Sequence, residues 1–445
     1  MSQTKTVIVI GGGLAGTEAA WQLAERGIHV HLYEMRPNKT TPAHTTSFLG
    51  ELVCSNSFGG ENTTTPAGIL KEELRTLNSL LLQCAERTKV PAGNALAVDR
   101  DLFSELVENK ISNHPKIKII REEQISMPSL PTIIATGPLT SPAFAKELKR
   151  KVGADFLYFY DAVAPIITYE SIDRKLSFKA NRYGDKGDYI NCPMDEQTYH
   201  EFWEALTEAE TAQRHSFEEE IHHFEGCLPI EVIAKRGVQT LLFGPLRPVG
   251  LTSAIDNNKK VCAIVQLRQD NKDGTLYNMV GFQTNLKWGE QERVFRLIPA
   301  LKNAEFVRKG VMHKNLFVCA PKVLDRFLRL SNEEPLYLAG QITGVEGYVE
   351  SISTGMASAI FMFAHIMGHE MPVFPPETAM GSLLYYLYSA LPETFQPMNV
   401  NLGIFPKLPG KKIYKRTLRC EAYAKRSKEH INRFINTYKH LFVSD

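Results

Sequence analysis

Two cysteines stand in segments rich in turn-forming residues, where a thiol can meet a substrate. Cys54 lies in a long polar stretch, and Cys227 is flanked by Gly226 and by Pro229 two residues later. A thiolate is a strong nucleophile, so either position could serve covalent catalysis. A cysteine can equally be a small buried apolar side chain, and the residues alone leave both interpretations open.

A glycine-rich turn between a predicted strand and a predicted helix could bind a dinucleotide. Thr6–Ile10 is an unbroken β-branched run, which is typical of a parallel strand buried on both faces. Helical spacing over residues 17–26, a second strand over His29–Tyr33 and an acid at Glu34 follow. The turn itself consists of Gly11, Gly12, Gly13, Leu14, Ala15 and Gly16.

The positions of this turn have separate physical roles. The first glycine of the G-x-G-x-x-G pattern allows the tight turn, the second lets the backbone approach a pyrophosphate, and the third lets helix and strand pack closely. The helix N-terminus offers free N–H groups to the phosphates. Glu34 ends the second strand, where a carboxylate accepts hydrogen bonds from ribose hydroxyls. We therefore expect a dinucleotide whose ribose carries a free 2′-hydroxyl.

Two later segments favour FAD over NAD as that dinucleotide. Residues 134–137 resemble the strand-to-glycine segment of two-dinucleotide-binding flavoproteins. A second segment resembles their late flavin-contacting motif, and its residues are Gly340, Gln341, Gly344, Gly347 and Tyr348. A plain glycine turn before a buried helix is the alternative for each segment. The sequence contains no second full fingerprint, so a nicotinamide would dock only transiently.

The order of predicted elements indicates an α/β protein with a Rossmann-like FAD-binding domain of the two-dinucleotide-binding type and an inserted α+β domain. With 445 residues the chain is long enough for two cores. We expect the FAD-binding domain to comprise residues 1–170 and 315–445, and the inserted domain to comprise 171–314. Helices are predicted over 70–86, 99–112, 195–217 and 351–369, a strand over 156–169, and a long loop over 36–66.

Composition excludes several classes of protein. The seven cysteines form no CxxC pair, so the sequence predicts neither a zinc ribbon nor another metal site. The longest apolar stretch, near residues 356–367, is too short to span a bilayer and contains His365, so we expect a buried helix. We accordingly expect a cytoplasmic protein with no membrane partner, and no obligate protein partner is evident.

The net charge is only +2, but the C-terminal segment is strongly basic. Eleven cations lie between residues 407 and 439 against Glu421 and Glu429. Such a cluster of positive charge suits the binding of RNA phosphates. Aromatic residues interleaved with the cations could stack on bases; they are Phe405, Tyr414, Tyr423, Phe434 and Tyr438. Lys179, Arg182, Lys186 and Arg247 could extend the surface. The alternative is a solvated helix face whose aromatic residues point into the core.

Several motifs together resemble the folate- and FAD-dependent tRNA uracil-5-methyltransferases, the TrmFO family. They include Glu34-Met35-Arg36-Pro37, residues 51–57, 191–194, 224–231 and 244–251, and Gly340 to Tyr348. The resemblance implies FAD, which Arg36 would also contact, and 5,10-methylenetetrahydrofolate as carbon donor. NADH or NADPH would be the reductant, and a tRNA T-loop uridine the substrate. Cys227 matches the family's nucleophile toward uracil, and Cys54 its second catalytic cysteine.

The family's chemistry explains why two thiols would be needed. C5 of uracil is a poor nucleophile until a thiolate adds to C6, and a second group must then help remove the C5 proton. One departure is Phe58-Gly59-Gly60, where the family's pattern has an apolar residue followed by an arginine. A ribosomal RNA target, wobble-uridine modification of the MnmG (GidA) type and a non-catalytic flavin-binding RNA chaperone therefore stay open.

Overall fold

The fold was analysed in a computed structural model, which describes residues 5–41, 43–153, 157–182, 187–212, 228–251, 261–310, 312–330, 335–410 and 413–442. The first part of the chain contains β1 (Thr6–Ile10), α1 (Leu14–Glu25), β2 (His29–Tyr33), β3 (Ser57–Gly60), α2 (Pro66–Thr76), α3 (Leu80–Arg87), β4 (Lys89–Val90), β5 (Ala95–Val98), α4 (Arg100–Ser112), β6 (Ile117–Ile120), β7 (Thr132–Ile134) and α5 (Pro142–Val152).

The middle part contains β8 (Leu157–Ala162), β9 (Ile166–Thr168), β10 (Phe178–Lys179), β11 (Ile190–Met194), α6 (Glu196–Glu208), α7 (Ile230–Lys235), α8 (Thr240–Phe243), β12 (Ala263–Gln269), β13 (Leu276–Met279), α9 (Trp288–Phe295) and β14 (Phe306–Arg308). The last part contains β15 (Met312–Phe317), α10 (Ala320–Val323), β16 (Leu336–Leu338), α11 (Tyr348–Met367), α12 (Ala379–Ser389) and α13 (Arg416–Thr437).

A five-stranded parallel sheet forms the centre of the first layer and confirms the predicted Rossmann-like α/β fold. Its strand order is β16-β7-β1-β2-β6. The central strand β1 is buried along almost its whole length, as the unbroken β-branched run predicts. Because β16 lies beside β7, the two ends of the chain contribute to one sheet.

Helices α1 and α11 cross this sheet in unusually close contact. A Cβ atom at Gly355 would come 2.3 Å from the carbonyl oxygen of Ala15, so only glycine fits there. Helix α11 is 20 residues long and starts before the predicted residue 351. The expectation that this stretch is too short to span a bilayer is therefore wrong, because the whole helix is long and apolar enough. The expected burial is confirmed, since most of the helix lies inside the protein, as a core helix does.

The helix predicted over residues 70–86 is in fact two helices, α2 and α3. The break lies at Asn78, whose φ of 61° is left-handed, and Ser79 then caps α3 by accepting a hydrogen bond from the N–H of Leu82. The buried carboxylate of Glu18 accepts hydrogen bonds from the Ser79 hydroxyl (2.9 Å) and the Leu81 N–H (3.1 Å). A buried carboxylate from α1 thus anchors the start of α3. Burial raises the pKa of Glu18, although these hydrogen bonds oppose the shift.

A six-stranded antiparallel sheet forms a second layer with its own core. Its order is β10-β11-β12-β13-β9-β14, and its buried side chains come from residues 164–304. The strand predicted over 156–169 is two strands, because Pro165 interrupts the run: β8 pairs with β15, whereas β9 joins the six-stranded sheet. The second sheet therefore starts at Ile166, slightly before the expected boundary, and the two cores support the proposed division into two domains.

Two further predicted elements differ in length. Helix α6 starts where expected, at the Asp195 cap, but ends at Glu208, and residues 213–217 of the prediction lie outside the described residues. The predicted loop over 36–66 contains the short strand β3, which pairs with β5.

Candidate active site

A cavity that is open to solvent lies at the carboxyl ends of β1 and β7. Ligands in open parallel sheets bind at this edge, so the cavity is the expected place for a nucleotide. Its lining includes Gly11, Gly12, Gly13, Leu14, Ala15, Glu34, Arg36, Glu51, Val53, Thr136, Gly340, Gln341 and Tyr348. The structure thus brings the early turn and the late glycine segment to one site.

The glycines of the early turn differ in their surroundings. A Cβ at Gly16 would lie 1.8 Å from the Gly11 carbonyl oxygen, so Gly16 allows the helix to pack against the turn. Gly11 has φ of 106° and lies against the Ala135 backbone. Around Gly13, in contrast, no described atom lies within 4 Å of an added Cβ. No side chain caps α1, so the N–H groups of its first turn remain available to a phosphate.

Glu34 is held in place by the turn and by Arg36. Its Oε2 accepts a hydrogen bond from the Gly12 N–H (2.9 Å), and its Oε1 accepts from the N–H and the Nε of Arg36 (3.0 and 2.9 Å). Burial alone would raise the pKa of Glu34, but the hydrogen bonds and charge of Arg36 lower it below its usual value. Glu34 is therefore a fixed carboxylate, suited to accept hydrogen bonds from a ribose.

Arg36 is a structural link as well as a lining residue. Its guanidinium is almost completely buried and donates to Glu34 and, through Nη1, to Glu51 Oε2 at 2.8 Å. Glu51 in turn accepts hydrogen bonds from Thr45 and Thr46. Arg36 thus ties the second strand to the loop that carries Cys54.

The late segment reaches the cavity only in part. Gly340, Gln341 and Tyr348 line it, whereas Gly344 and Gly347 are not among the lining residues. Gly344 has φ of 92°, which favours glycine, and a Cβ there would also lie 2.5 Å from the Phe395 ring. Gly347 precedes α11 with φ of 114° and lies against Glu350.

The residues present fit an FAD molecule. The space has three relevant features: an uncapped helix N-terminus with room beside Gly13 for a phosphate, the ionised carboxylate of Glu34, and the late glycine segment. FAD needs these three features for its pyrophosphate, its ribose and its ring system. Phosphate and ribose would be held by Gly13 to Ala15 and by Glu34, and the ring by the segment from Gly340 to Tyr348.

Cys54 lies beside this cavity, because it follows the lining residue Val53 and its backbone contacts the lining residue Tyr348. Its backbone N–H donates to the Tyr348 Oη at 2.8 Å, and its carbonyl oxygen accepts from Arg100 Nη2 at 3.0 Å. Its side chain is partly exposed, whereas Cys84 and Cys192 are buried. Burial raises the pKa of Cys84 to about 12 and also raises that of Cys192, so those two thiols are core side chains.

Three arginines contact the Cys54 loop, and no sequence motif indicates their role. Arg100 starts α4, Arg268 lies on β12, and Arg308 ends β14; each interacts electrostatically with Cys54. Burial lowers the pKa of Arg268 and Arg308, whereas Asp270 offsets the burial of Arg100 and raises its pKa. Arg268 and Arg308 lie on strands far from Cys54 in the sequence, and no local motif indicates that they contact its loop.

The other predicted catalytic residue, Cys227, lies outside the described residues. The end of its motif is described: Ile230 N–H donates to the Gln283 carbonyl at 2.7 Å. The buried Glu231 accepts from Thr284 Oγ1 (2.9 Å) and Asn285 N–H (2.8 Å). The segment that follows Cys227 is therefore fixed to the second core. Among the described residues, no group of histidine, cysteine or acidic side chains could hold a metal ion.

Comparisons with known proteins decide the family. The family model described as glucose inhibited division protein A (GIDA) matches residues 6–370. A methylenetetrahydrofolate–tRNA-(uracil-5-)-methyltransferase TrmFO from Desulforudis audaxviator is 55% identical over 428 residues, which cover 96% of this chain and 97% of the relative. The chain belongs to the TrmFO family. Its resemblance to TrmFO proteins, inferred above from motifs, is thereby confirmed.

Other TrmFO proteins are similar along the same length. The one from Listeria innocua is 54% identical over 96% of this chain and 98% of its own. The one from Bacillus subtilis is 51% identical over 97% of this chain and 99% of its own.

Solved structures support the fold. GidA from Aquifex aeolicus superposes with a TM-score of 0.70 at 16% identity, covering 100% of this chain and 75% of the GidA chain. GidA is therefore the longer protein with the same fold, whereas the TrmFO proteins match this chain nearly end to end.

Proposed function

We propose that this protein methylates C5 of a uridine in the tRNA T-loop, with 5,10-methylenetetrahydrofolate as carbon donor and FAD with NADH or NADPH as reductant. The observation that carries the proposal is the identity of 51–55% with TrmFO methyltransferases over nearly the whole chain. The dinucleotide cavity beside Cys54 agrees with it. The protein would act in the cytoplasm, where tRNA, folate and nicotinamide are all available.

The cavity residues would bind and orient the cofactor. Bound FAD supplies a carrier for the reducing equivalents and for the one-carbon unit between folate and base. Gly13 and the first turn of α1 bind phosphate through N–H groups, and Glu34 holds the ribose. Tyr348 belongs to the cavity and also accepts a hydrogen bond from Cys54 N–H, so a fixed distance separates the cofactor site from that thiol.

The two thiols would divide the chemistry of the base between them. Attack of the Cys227 thiolate on C6 forms an S–C bond and leaves C5 as a nucleophilic enolate carbon. After C5 has bonded to the one-carbon unit from folate, loss of the C5 proton and cleavage of the S–C bond would restore the C5–C6 double bond and release the thiolate. We assign proton removal at C5 to Cys54, because its position beside the cavity suits a group that meets both base and cofactor.

The C-terminal helix α13 would contribute to tRNA binding. One face packs into the protein through Cys420, Tyr423, Ser427, Ile431 and Phe434. Lys425, Lys428 and Arg433 are exposed on the other face. These cations suit the phosphate backbone.

The expected stacking of bases on this segment is wrong for most of its aromatic residues. Phe405, Tyr423 and Phe434 are buried, and Tyr438 is partly buried against the core. Only Tyr414, among the described aromatic residues of the segment, is largely exposed, at 82%. Of the residues expected to extend the surface, Arg182 is engaged by the carbonyls of Arg247 and Val249, and Lys186 lies outside the described residues.

The direct test is methylation of unmodified RNA by the flavin-loaded protein. Transcripts of a tRNA and of a large-subunit ribosomal RNA fragment are incubated with methylenetetrahydrofolate and NADPH, and their nucleosides are analysed by mass spectrometry. We expect 5-methyluridine in the tRNA at the T-loop. Methylation of the ribosomal fragment alone, or a larger substituent on a wobble uridine, would overturn the proposal.

The role of Cys227 has a separate test. RNA containing 5-fluorouridine cannot lose a proton from C5, so a thiol adduct at C6 is trapped. We expect a covalent protein–RNA complex that survives denaturation with the native protein and disappears with Cys227→Ser. Formation of the same complex by Cys227→Ser would contradict the assignment.

A further inference from the structure

The loop that carries Cys54 is held by guanidinium groups at three consecutive carbonyl oxygens. Arg100 donates to the carbonyl of Leu52 through Nη1 (2.7 Å) and to that of Cys54 through Nη2 (3.0 Å). Arg308 Nη2 donates to the carbonyl of Val53 at 2.8 Å. Backbone atoms on both sides of the thiol are thus fixed by charged donors, which form stronger hydrogen bonds than neutral ones.

A third arginine fixes the loop two residues further on. Arg268 Nε donates to Asn56 Oδ1 at 2.9 Å, and the side chain of Asn56 is completely buried. Asn56 Nδ2 donates to the carbonyls of Val98 (2.9 Å) and Gln269 (3.0 Å). Asn56 therefore connects a strand of the first layer with a strand of the second.

These contacts join the two layers at the thiol. Arg100 belongs to the first layer, whereas Arg268 and Arg308 lie on strands of the six-stranded sheet. Asp270, which follows β12 and is buried, pairs with Arg100 Nε at 3.0 Å. The position of the Cys54 loop consequently depends on how the second layer is seated against the first.

The same groups set the charge around the sulfur. Arg100, Arg268 and Arg308 bring three positive charges that interact with Cys54, and Asp270 neutralises one of them. Other titratable groups nearby include Tyr348, which accepts a hydrogen bond from the Cys54 N–H, Glu51, which is engaged by Arg36, and Asp101, which interacts with Arg100 and Asp270. A surplus of buried positive charge favours a negatively charged sulfur.

We propose that Arg100, Arg268 and Arg308 are positioning residues that clamp the Cys54 loop between the two layers and stabilise negative charge on its sulfur. The proposal rests on the proposed function in so far as Cys54 acts in catalysis. The clamp also predicts the reactivity of the Cys54 thiol, and this reactivity can be measured without RNA or folate. It assigns a role in the reaction to two arginines of the inserted part of the chain.

The test is the pH profile of Cys54 alkylation by iodoacetamide in the flavin-loaded protein, followed by mass spectrometry of the Cys54 peptide. Arg308→Gln keeps a donor but removes the charge, and we expect its half-maximal rate at about one pH unit higher than in the native protein. Arg308→Lys keeps the charge and should restore most of the shift. Asp270→Asn removes the opposing charge and should move the profile to lower pH.

Arg308→Gln and Asp270→Asn should shift the alkylation profile in opposite directions. Structural damage to the loop would not produce opposite shifts, so this result distinguishes the clamp from simple damage. Arg296→Gln is the matched control, because Arg296 also donates to a carbonyl, that of Ala304, but shows no interaction with Cys54 among the described residues. In methylation assays Arg308→Gln should lower kcat, with KM for folate near the native value. If Arg308→Gln does not fold, the alkylation profiles of Arg308→Lys and Asp270→Asn still test the clamp. We expect the profile of Arg308→Lys near the native one and that of Asp270→Asn at lower pH.

Unchanged alkylation profiles in Arg308→Gln and Asp270→Asn would overturn the clamp. The failure of the proposed function looks different: the native, flavin-loaded protein would then form no 5-methyluridine in tRNA, whatever the alkylation profiles show. An inactive Cys54→Ser together with unshifted profiles would refute the clamp alone.

Discussion

The backbone N–H of Cys54 donates a hydrogen bond of 2.8 Å to the phenolic oxygen of Tyr348. These residues belong to distant parts of the sequence, yet one lines the nucleotide cavity and the other carries a proposed catalytic thiol. The Tyr348 ring also packs edge-on against Phe58 at 5.6 Å between centroids, which fixes its orientation. The hydroxyl is thus a rigid link between cofactor site and thiol.

Removal of that hydroxyl should slow the reaction without emptying the cofactor site. Tyr348→Phe keeps the ring but deprives the Cys54 N–H of its acceptor, a loss of about 1 kcal/mol. We expect kcat to fall roughly fivefold to tenfold, with the flavin absorbance per protein unchanged. Tyr386→Phe, which removes a hydroxyl bonded to the Gln396 carbonyl away from the cavity, serves as control. Equal effects of both substitutions would argue against the link.

Alanine substitutions at two glycines of the nucleotide turn should have different effects, one on FAD binding and the other on the stability of the fold. Gly13 has φ of −78° and open space around its missing Cβ, so Gly13→Ala should fold normally but lose most of its FAD. In Gly16→Ala the Cβ would collide with the Gly11 carbonyl oxygen, and we expect the fold itself to lose about 1–3 kcal/mol or more. Thermal unfolding of the FAD-free proteins and FAD titration separate the two effects. If Gly13→Ala bound FAD like the native protein, phosphate binding at this turn would be refuted.

Buried Lys71 should make stability rise at alkaline pH. Burial lowers its pKa to about 8, and its Nζ donates to the Phe58 carbonyl at 2.7 Å. Below pH 8 the lysine is charged in both states, and burying the charge opposes folding. Between pH 8 and the unfolded pKa of 10.5 the folded state loses its proton first, so this contribution rises by about 3 kcal/mol.

The measurement is the free energy of unfolding of native protein and of Lys71→Met across that pH range. The difference between them should shift in favour of the native protein as the pH rises. Lys110→Met removes an exposed lysine and should give a constant difference. A constant difference for Lys71→Met as well would show that the buried amine stays charged.

The exposed face of α13 should govern the salt dependence of tRNA binding. Lys425→Glu with Lys428→Glu reverses two neighbouring exposed charges without touching the buried face. We expect weaker tRNA binding and a slope of log affinity against log salt that is smaller by about 2. Lys110→Glu with Lys146→Glu makes the same charge change on other helices. The same loss with this pair would mean that only net charge matters.

The nucleotide turn could be predicted because its requirements are local. A buried strand, a glycine turn, a helix and an acid follow one another in the sequence, and the structure places Glu34 beside the turn, bonded to the Gly12 N–H. The buried aromatic residues of α13 also had a usable signal, since Tyr423, Ile431 and Phe434 share a face at helical spacing. That spacing predicts core packing rather than base stacking.

Other features depend on contacts that sequence spacing does not reveal. The break between α2 and α3 was missed because apolar residues continue through it, while the Glu18 carboxylate that anchors Ser79 comes from another helix. Arg268 and Arg308 approach Cys54 only because the second sheet packs against the first. Such residues are defined by the tertiary arrangement and not by a motif.

The most direct test of the central claim is mass spectrometry of the T-loop nucleosides of an unmodified tRNA after reaction with flavin-loaded protein and carbon-labelled methylenetetrahydrofolate. We predict labelled 5-methyluridine with the native protein and none with Cys54→Ser or Cys227→Ser. Unlabelled tRNA from the native, flavin-loaded protein, or undiminished labelling by both serine variants, would contradict the account.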